Sequence, residues 1–356
     1  MALPCSASAG LDRLRSVADE DVLSQLDAIL AGGDTSVTPW VTLAGGPRHG
    51  ERVFQPDYDL ARKLLHVPIS QGYATKQQSG RVAKALDAWI AYELRRAGFP
   101  DDGVWPRQKR PRTLPADLAP VEAAVDEALA RLDDFEDRLK KFADEKKAPS
   151  LHRVRPAIGK IRAALPGSAN ADILGRFYVK QVDVVVSSWQ RGPDVLISSK
   201  TQFSSYLNNK NNRYEEAVGE ATNLRDRHPM AAMGFVYLVR TNLFDEQGAF
   251  VYLRNQLARL RKPDGPFDAT MLLAGDWDDG PNPTLRKVDD ADELLSAPRF
   301  FGDLLQAVMD STPVDLHQNV RLRHQGESPE GGMPPVEEGA APEEAAETGF
   351  DGSSWD

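Results

Sequence analysis

Residues Phe177–Lys200, FYVKQVDVVVSSWQRGPDVLISSK, read as strand, turn, strand with a polar cluster on one face. Val184, Val185 and Val186 follow Asp183, and Val195, Leu196 and Ile197 lead into Ser198-Ser199-Lys200. Both runs are apolar or β-branched, and Gly192, Pro193 and Asp194 supply a turn between them. The spacing predicts strands at Phe177–Val182, Asp183–Ser188 and Val195–Lys200, with the first two either separate or one bent strand. Side chains alternate along a strand, so Ser198 and Lys200 share one face and Ser199 points to the other. A purely structural core gains nothing from a Ser-x-Lys face beside a carboxylate. A site that gathers a metal ligand and an ammonium at a sheet edge does.

Working outward, a helix is expected near Asn212–Arg227, ended by His228-Pro229. A strand follows at Ala232–Arg240, apolar almost throughout, as in strands buried on both faces. A helix at about Gln247–Arg261 and a strand at Ala269–Ala274 complete the run, and a short basic helix at Val154–Leu165 precedes it. The order α, β, β, β, α, β, α, β indicates an α/β fold, a mixed β-sheet flanked by helices. Upstream, residues 1–115 read as a mainly helical N-terminal region. Within it Leu11–Leu30 has a helical apolar period and Trp40–Phe54 suits a small hairpin. Ser79–Ala97, SGRVAKALDAWIAYELRRA, is strongly amphipathic with Val82, Leu86, Trp89, Ile90 and Leu94 on one stripe. A Pro-rich break at 111–120 marks a domain boundary. Residues 116–150 form a long charged helix with apolar residues at near-heptad spacing, suited to a connector or dimer seam. Residues 151–324 form the sheet domain, and 325–356 a disordered acidic tail.

Composition narrows the function classes. The chain has 356 residues, long enough for roughly two domains. No apolar run approaches the roughly 18 residues of a membrane span, which predicts a soluble protein with no membrane partner. The N-terminus lacks a basic segment followed by an apolar one, which argues for a cytoplasmic protein. A single cysteine, Cys5, excludes an internal disulfide and a thiolate zinc cluster, and the six histidines show no metal-ligand spacing. The net charge of −10 conceals a polarised chain: residues 325–356 hold nine acids and no Lys or Arg. Residues 151–213 hold ten Lys and Arg against three acids. A second basic run, Arg107, Lys109, Arg110 and Arg112, precedes them. Basic runs are most often solvated surface; their coincidence with the polar strand face favours nucleic acid as partner. The tail could screen that surface, in which case deleting it tightens DNA binding at low salt, and an unchanged affinity would refute the idea.

The element order, with Asp183 on the second strand and Ser198-x-Lys200 ending the third, resembles the PD-(D/E)XK nuclease superfamily, the fold of many restriction endonucleases. The resemblance covers about a third of the chain. It implies a restriction-endonuclease-like core in which the aspartate and the acid of (D/E)-x-K bind Mg²⁺ and the lysine positions or activates water. Here Ser198 stands where that acid is expected. A subgroup of restriction enzymes is similar, with Ser-x-Lys and the carboxylate relocated to the following helix. Glu215 and Glu216 lie fifteen and sixteen residues beyond Lys200, and Glu220 twenty. Spacing favours Glu216 as second acid, with Glu220, nearer the apolar stripe, and Glu215 as alternatives.

The resemblance thus implies catalytic roles for Asp183, Lys200 and Glu216, with Ser198 leaving space beside them and Gln202, on the same face, able to bond water or DNA. The metal ligands would be Asp183 with Glu216, Glu220 or Glu215. Lys210 and Arg213, in an asparagine-rich loop, suit phosphate and base-edge contacts, as do Arg107, Lys109 and Arg110. Trp105 beside that run either stacks a base or anchors the segment. The expected function is a Mg²⁺-dependent DNA endonuclease of restriction type, a homodimer because double-strand cutting needs two active sites. Two other readings stay open: a DNA-binding module on a decayed nuclease fold, and an interaction protein that meets an acidic partner.

Overall fold

The structure, a computed structural model, describes residues 22, 24–44, 48–74, 79–106, 124, 125, 127–132, 156, 158, 171–188, 191–208, 210–263 and 265–327. Its N-terminal elements are β1 (Trp40–Thr42), β2 (Arg52–Phe54), α1 (Tyr58–Ser70), α2 (Gly80–Ala97) and β3 (Val104–Trp105). Then come β4 (Ala171–Leu174), β5 (Val179–Val182), β6 (Val184–Ser188), β7 (Gly192–Gln202) and α3 (Lys210–Arg225). The chain continues through β8 (Ala232–Arg240), α4 (Ala249–Leu260), β9 (Ala269–Trp277) and β10 (Leu285–Asp290) to α5 (Ala297–Ser311) and α6 (Gln318–Gln325).

Six strands form one mixed sheet in the order β10-β9-β8-β7-β6-β3. The central three, β7, β8 and β9, are parallel, each returning through a helix, and the outer neighbours are antiparallel. This is the α/β arrangement that the apolar runs predict. Residues of β8 divide alternately between the two faces, as a strand's period of two requires. Val236 and Leu238 join α1, α2 and α5 on one side. Met233, Phe235, Tyr237 and Val239 join α3 and α4 on the other. Gly234 lies where a side chain has no room: a Cβ would stand 2.8 Å from the Phe300 ring. Phe300 therefore fills the groove over β8.

The amphipathic stretch at 79–97 is helix α2, with Val82, Leu86, Trp89, Ile90 and Leu94 fully buried. The Trp89 indole N–H donates to the Asp57 carbonyl at 3.0 Å, so this large side chain enters the core without an orphaned donor. Gly98 ends the helix at φ +115°, and a Cβ there would lie 2.8 Å from the backbone at Asn319 and Val320. Glycine thus serves both the left-handed cap and the close approach of α6. The N-terminal helices and the sheet share one hydrophobic core, and Val104–Trp105 form the sheet's edge strand. The expected hairpin at 40–54 is β1 paired with β2.

Several elements differ from the expected set. The strand expected at 177–182 is shorter and pairs with β4, not with the main sheet. The chain changes sheets at Asp183, so β5 and β6 are separate strands. Helices α1 and α5 and strand β10 were not anticipated. Pro68 inside α1 reads as a breaker in sequence, although it sits near the helix end. Strand β10, LRKVDD, carries the charges that blunt a sheet edge. Most of the charged helix at 116–150, most of the basic helix at 154–165 and nearly all of the acidic tail lie outside the described residues. Among the described residues no helix is long and apolar enough to cross a membrane.

Candidate active site

The switch between sheets places Asp183 at the entrance of β6, directly beside β7. Its Oδ2 accepts the Ser199 backbone N–H at 2.8 Å. One residue on, Lys200 lies opposite Tyr237 of β8 and turns toward α3. Its Nζ stands 3.3 Å from Glu216 Oε1 and 3.9 Å from Glu220 Oε1. Glu216 and Glu220 are four apart on α3, one turn of a helix, and so share a flank. Glu220 is only 5% exposed and also pairs with Lys180 of β5, while its second oxygen, Oε2, is buried without a partner. Asp183, Lys200, Glu216 and Glu220 therefore converge where β6, β7 and α3 meet. Glu215 is exposed on α3.

The pleat sends the neighbouring serines to opposite sides. Ser198 is buried on the Lys200 side and packs as a small residue. Ser199 faces α2, where its hydroxyl donates to Asp87 Oδ1 at 2.6 Å. Asp87 is itself buried in the middle of α2. Ser199 thus ties two carboxylates together across the sheet, Asp183 by its backbone and Asp87 by its side chain.

Burial dominates the electrostatics. It raises the Asp183 carboxyl, helped by the nearby Glu220 charge and opposed by the Ser199 N–H, Lys200 and Lys180. Burial and the Asp183 charge push Asp87 well above the usual carboxylate range, against the Ser199 hydroxyl and Lys84. For Glu216 burial is outweighed: the Lys200 ammonium and Lys180 hold its carboxyl below the ordinary value. Exposed Glu216 and buried Glu220 thus flank the Lys200 ammonium, with half-buried Asp183 at the head of the adjacent strand and Asp87 across the sheet. A cation placed between Asp183 and Glu220 would offset their desolvation. Among the described residues, no three His, Cys, Asp or Glu side chains stand close enough to hold a metal ion by themselves.

The remaining predicted residues fare differently. The Gln202 amide is engaged by the turn after β7: Nε2 donates to the Ser204 and Ser205 carbonyls at 3.2 and 2.8 Å. Its Oε1 accepts the Tyr237 hydroxyl at 2.6 Å, and burial pushes that phenol up to about 12, against the Arg213 guanidinium. Arg213 is exposed on the first turn of α3. Lys210 opens α3, but its side chain lies outside the described residues, as do Arg107, Lys109 and Arg110. Trp105 is buried in β3, so it anchors the segment and offers no ring for stacking.

Sequence reasoning missed Asp87, Lys180 and the two-handed role of Ser199. Asp87 left one signal, a lone carboxylate inside the most apolar part of α2. Lys180 left none, because its partner is brought near only by tertiary packing. Comparison of the chain with protein-family models, with curated proteins and with solved structures found no match.

Proposed function

We propose that the chain is a Mg²⁺-dependent DNA endonuclease of restriction type, with a PD-(D/E)XK-like core and a cytoplasmic role against foreign DNA. One observation carries the reading: the Lys200 ammonium stands 3.3 and 3.9 Å from Glu216 and Glu220, with Asp183 at the head of the adjacent strand. On this reading a glutamate of the following helix, Glu216 or Glu220, serves for the acid absent at Ser198, the variant pattern expected from sequence. Glu220 is the better second acid on burial and Glu216 on spacing.

The donor set suits Mg²⁺, which takes hard oxygens and is commonly held by one or two carboxylates, with waters and substrate phosphate completing the shell. The partnerless Glu220 Oε2 and the half-buried Asp183 carboxyl are such oxygens. Asp183 and Glu220 would hold the ion. When bound, it would neutralise phosphate charge and lower the pKa of water. The chain's own groups do the rest. The Ser199 N–H fixes the Asp183 carboxylate. Lys200 offers an ammonium that can leave Glu216 to orient water or bond a phosphate oxygen. Ser198 keeps the approach to Lys200 free of bulk.

The test is cleavage of plasmid and phage DNA with Mg²⁺, comparing wild type with Lys200→Ala and Asp183→Ala. Discrete fragments are expected from the wild type. Removing the lysine should slow cutting by about 10²–10⁴-fold, the range for a group that manages a proton. Cutting by both variants at the wild-type rate would refute the reading. A second reading, a decayed nuclease fold that only binds DNA, draws on Ser198 and on the absence of three clustered acids among the described residues. Binding without cutting would favour it. Homodimer formation goes with double-strand cutting, and sedimentation of the free chain tests it.

A further inference from the structure

The geometry points to a second contact with nucleic acid: the β4–β5 hairpin is a stacking arm that presents Phe177 to a base near the cut. This inference rests on DNA being the substrate of the site described above. Phe177 is 70% exposed, and Leu174, Tyr178 and Val179 beside it are 51%, 48% and 58% exposed. An apolar cluster on a two-stranded hairpin is unusual, because such a hairpin is barely stable alone.

Here the tip is held rigidly from below. Asn223 of α3, 1% exposed, accepts the backbone N–H groups of Phe177 and Tyr178 through Oδ1 at 2.8 and 3.3 Å. Its Nδ2 donates to the Tyr178 carbonyl at 3.1 Å, and its own carbonyl accepts the Arg176 N–H at 2.8 Å. A Cβ on Gly175 would collide with the Asn223 amide, so the turn and the clamp are built for each other. A buried amide thus fixes an exposed aromatic ring at low entropic cost, which a binding point needs and a discarded surface does not.

Two features favour a base as the occupant. The Arg176 guanidinium, paired with Asp226 at 2.7 Å, lies 5.1 Å from the centre of the Phe177 ring, so an oriented cation backs an aromatic face and would have to exchange Asp226 for a phosphate oxygen. The same hairpin also reaches the candidate active site, since Lys180 pairs with Glu220, which stands beside Lys200. Phe177 lies in the hairpin turn three residues before Lys180, so the chain between them spans at most roughly 10 Å. That is about three nucleotide spacings of one DNA strand. A strand whose phosphate lies at Lys200 therefore has a base within reach of Phe177.

The test uses the full chain with gapped duplexes that carry 2-aminopurine at successive positions, in Ca²⁺ so that binding is read without cutting. Phe177→Ala should weaken binding by about 5- to 100-fold, the range of one base–aromatic stack. It should also abolish the change in 2-aminopurine fluorescence, and Phe177→Trp should restore both. Unchanged affinity and fluorescence in Phe177→Ala would overturn the arm. So would a variant that binds DNA normally but sediments as a smaller species, which would assign the patch to a second copy of the chain. The two readings fail separately. Phe177-dependent binding by a wild type that never cuts keeps the arm and removes the nuclease. Wild-type cutting with an inert Phe177 does the reverse, and no binding at all removes both.

Discussion

Ser199 is a residue with two hands, one on Asp183 and one on Asp87, and the consequences differ for each. Asp87→Ala leaves the Ser199 hydroxyl without its acceptor and should cost about 1–3 kcal/mol in a urea melt. Asp87→Asn keeps the acceptor and removes the titration. Burial raises both carboxyls in the folded chain, so between the ordinary carboxylate pKa and the raised one the folded state holds more protons than the unfolded. Stability from these groups is therefore present at low pH and is lost as pH rises through that window. The Asp87→Asn urea midpoint should gain on wild type as pH climbs above the ordinary carboxylate range. A constant difference would show that Asp87 does not titrate there. Some slope should persist, because burial pushes the Glu93 carboxyl up to about 7. At the proposed site, Glu220→Gln should abolish Mg²⁺-dependent cutting, while the exposed Glu216→Gln should reduce it less. The opposite order in a plasmid assay would return the role to Glu216. In sequence Asp183 and Lys200 were legible, since each interrupts an apolar strand. Asp87 was not, because its meaning depends on which β7 serine turns toward α2.

At the scale of elements, α3 does three jobs along one length. Its middle brings Glu216 and Glu220 to Lys200, Asn223 clamps the β4–β5 turn, and Arg225 donates to the Asp268 carboxylate at 2.7 Å beneath β8. Asn223→Ala should therefore loosen the hairpin selectively, by about 1–3 kcal/mol for the buried amide's lost bonds. Hydrogen exchange should rise across residues 171–182 while β7 and β8 stay protected. Uniform loss of protection would mean that the clamp supports the whole sheet. The helix itself was expected from sequence, and so were β7, β8 and β9, whose apolar runs exceed what a surface strand carries. The hairpin was not. ADIL is too short to announce a strand, and its partner VKQV pairs with it only because the chain leaves that small sheet at Asp183.

For the whole molecule, the N-terminal helices are structural parts of the sheet. They cover one face of it, and the Arg95 guanidinium, buried, donates to the carbonyls of Val104 and Pro106 at 2.9 and 3.0 Å to hold the edge strand β3. A fragment limited to residues 151–324 would expose the β6–β9 face that α1 and α2 bury. It should show no cooperative thermal transition, whereas the full chain should melt as a unit. A folded fragment with its own sharp transition would contradict the shared core.

Local sequence determined what depends on neighbours along the chain: the periodicity of α2 and α3, the doubly buried strands, the hairpin at Trp40–Phe54, and the Asp183 and Ser198-x-Lys200 pair. Tertiary structure alone decided that Glu220 pairs with Lys180, that Asp87 joins the cluster, and that residues 177–182 belong to a separate hairpin. The physical reason is range. Hydrophobic period and turn chemistry act over a few residues, whereas a carboxylate's partner is whichever cation packing brings within about 4 Å, and no local pattern encodes that distance.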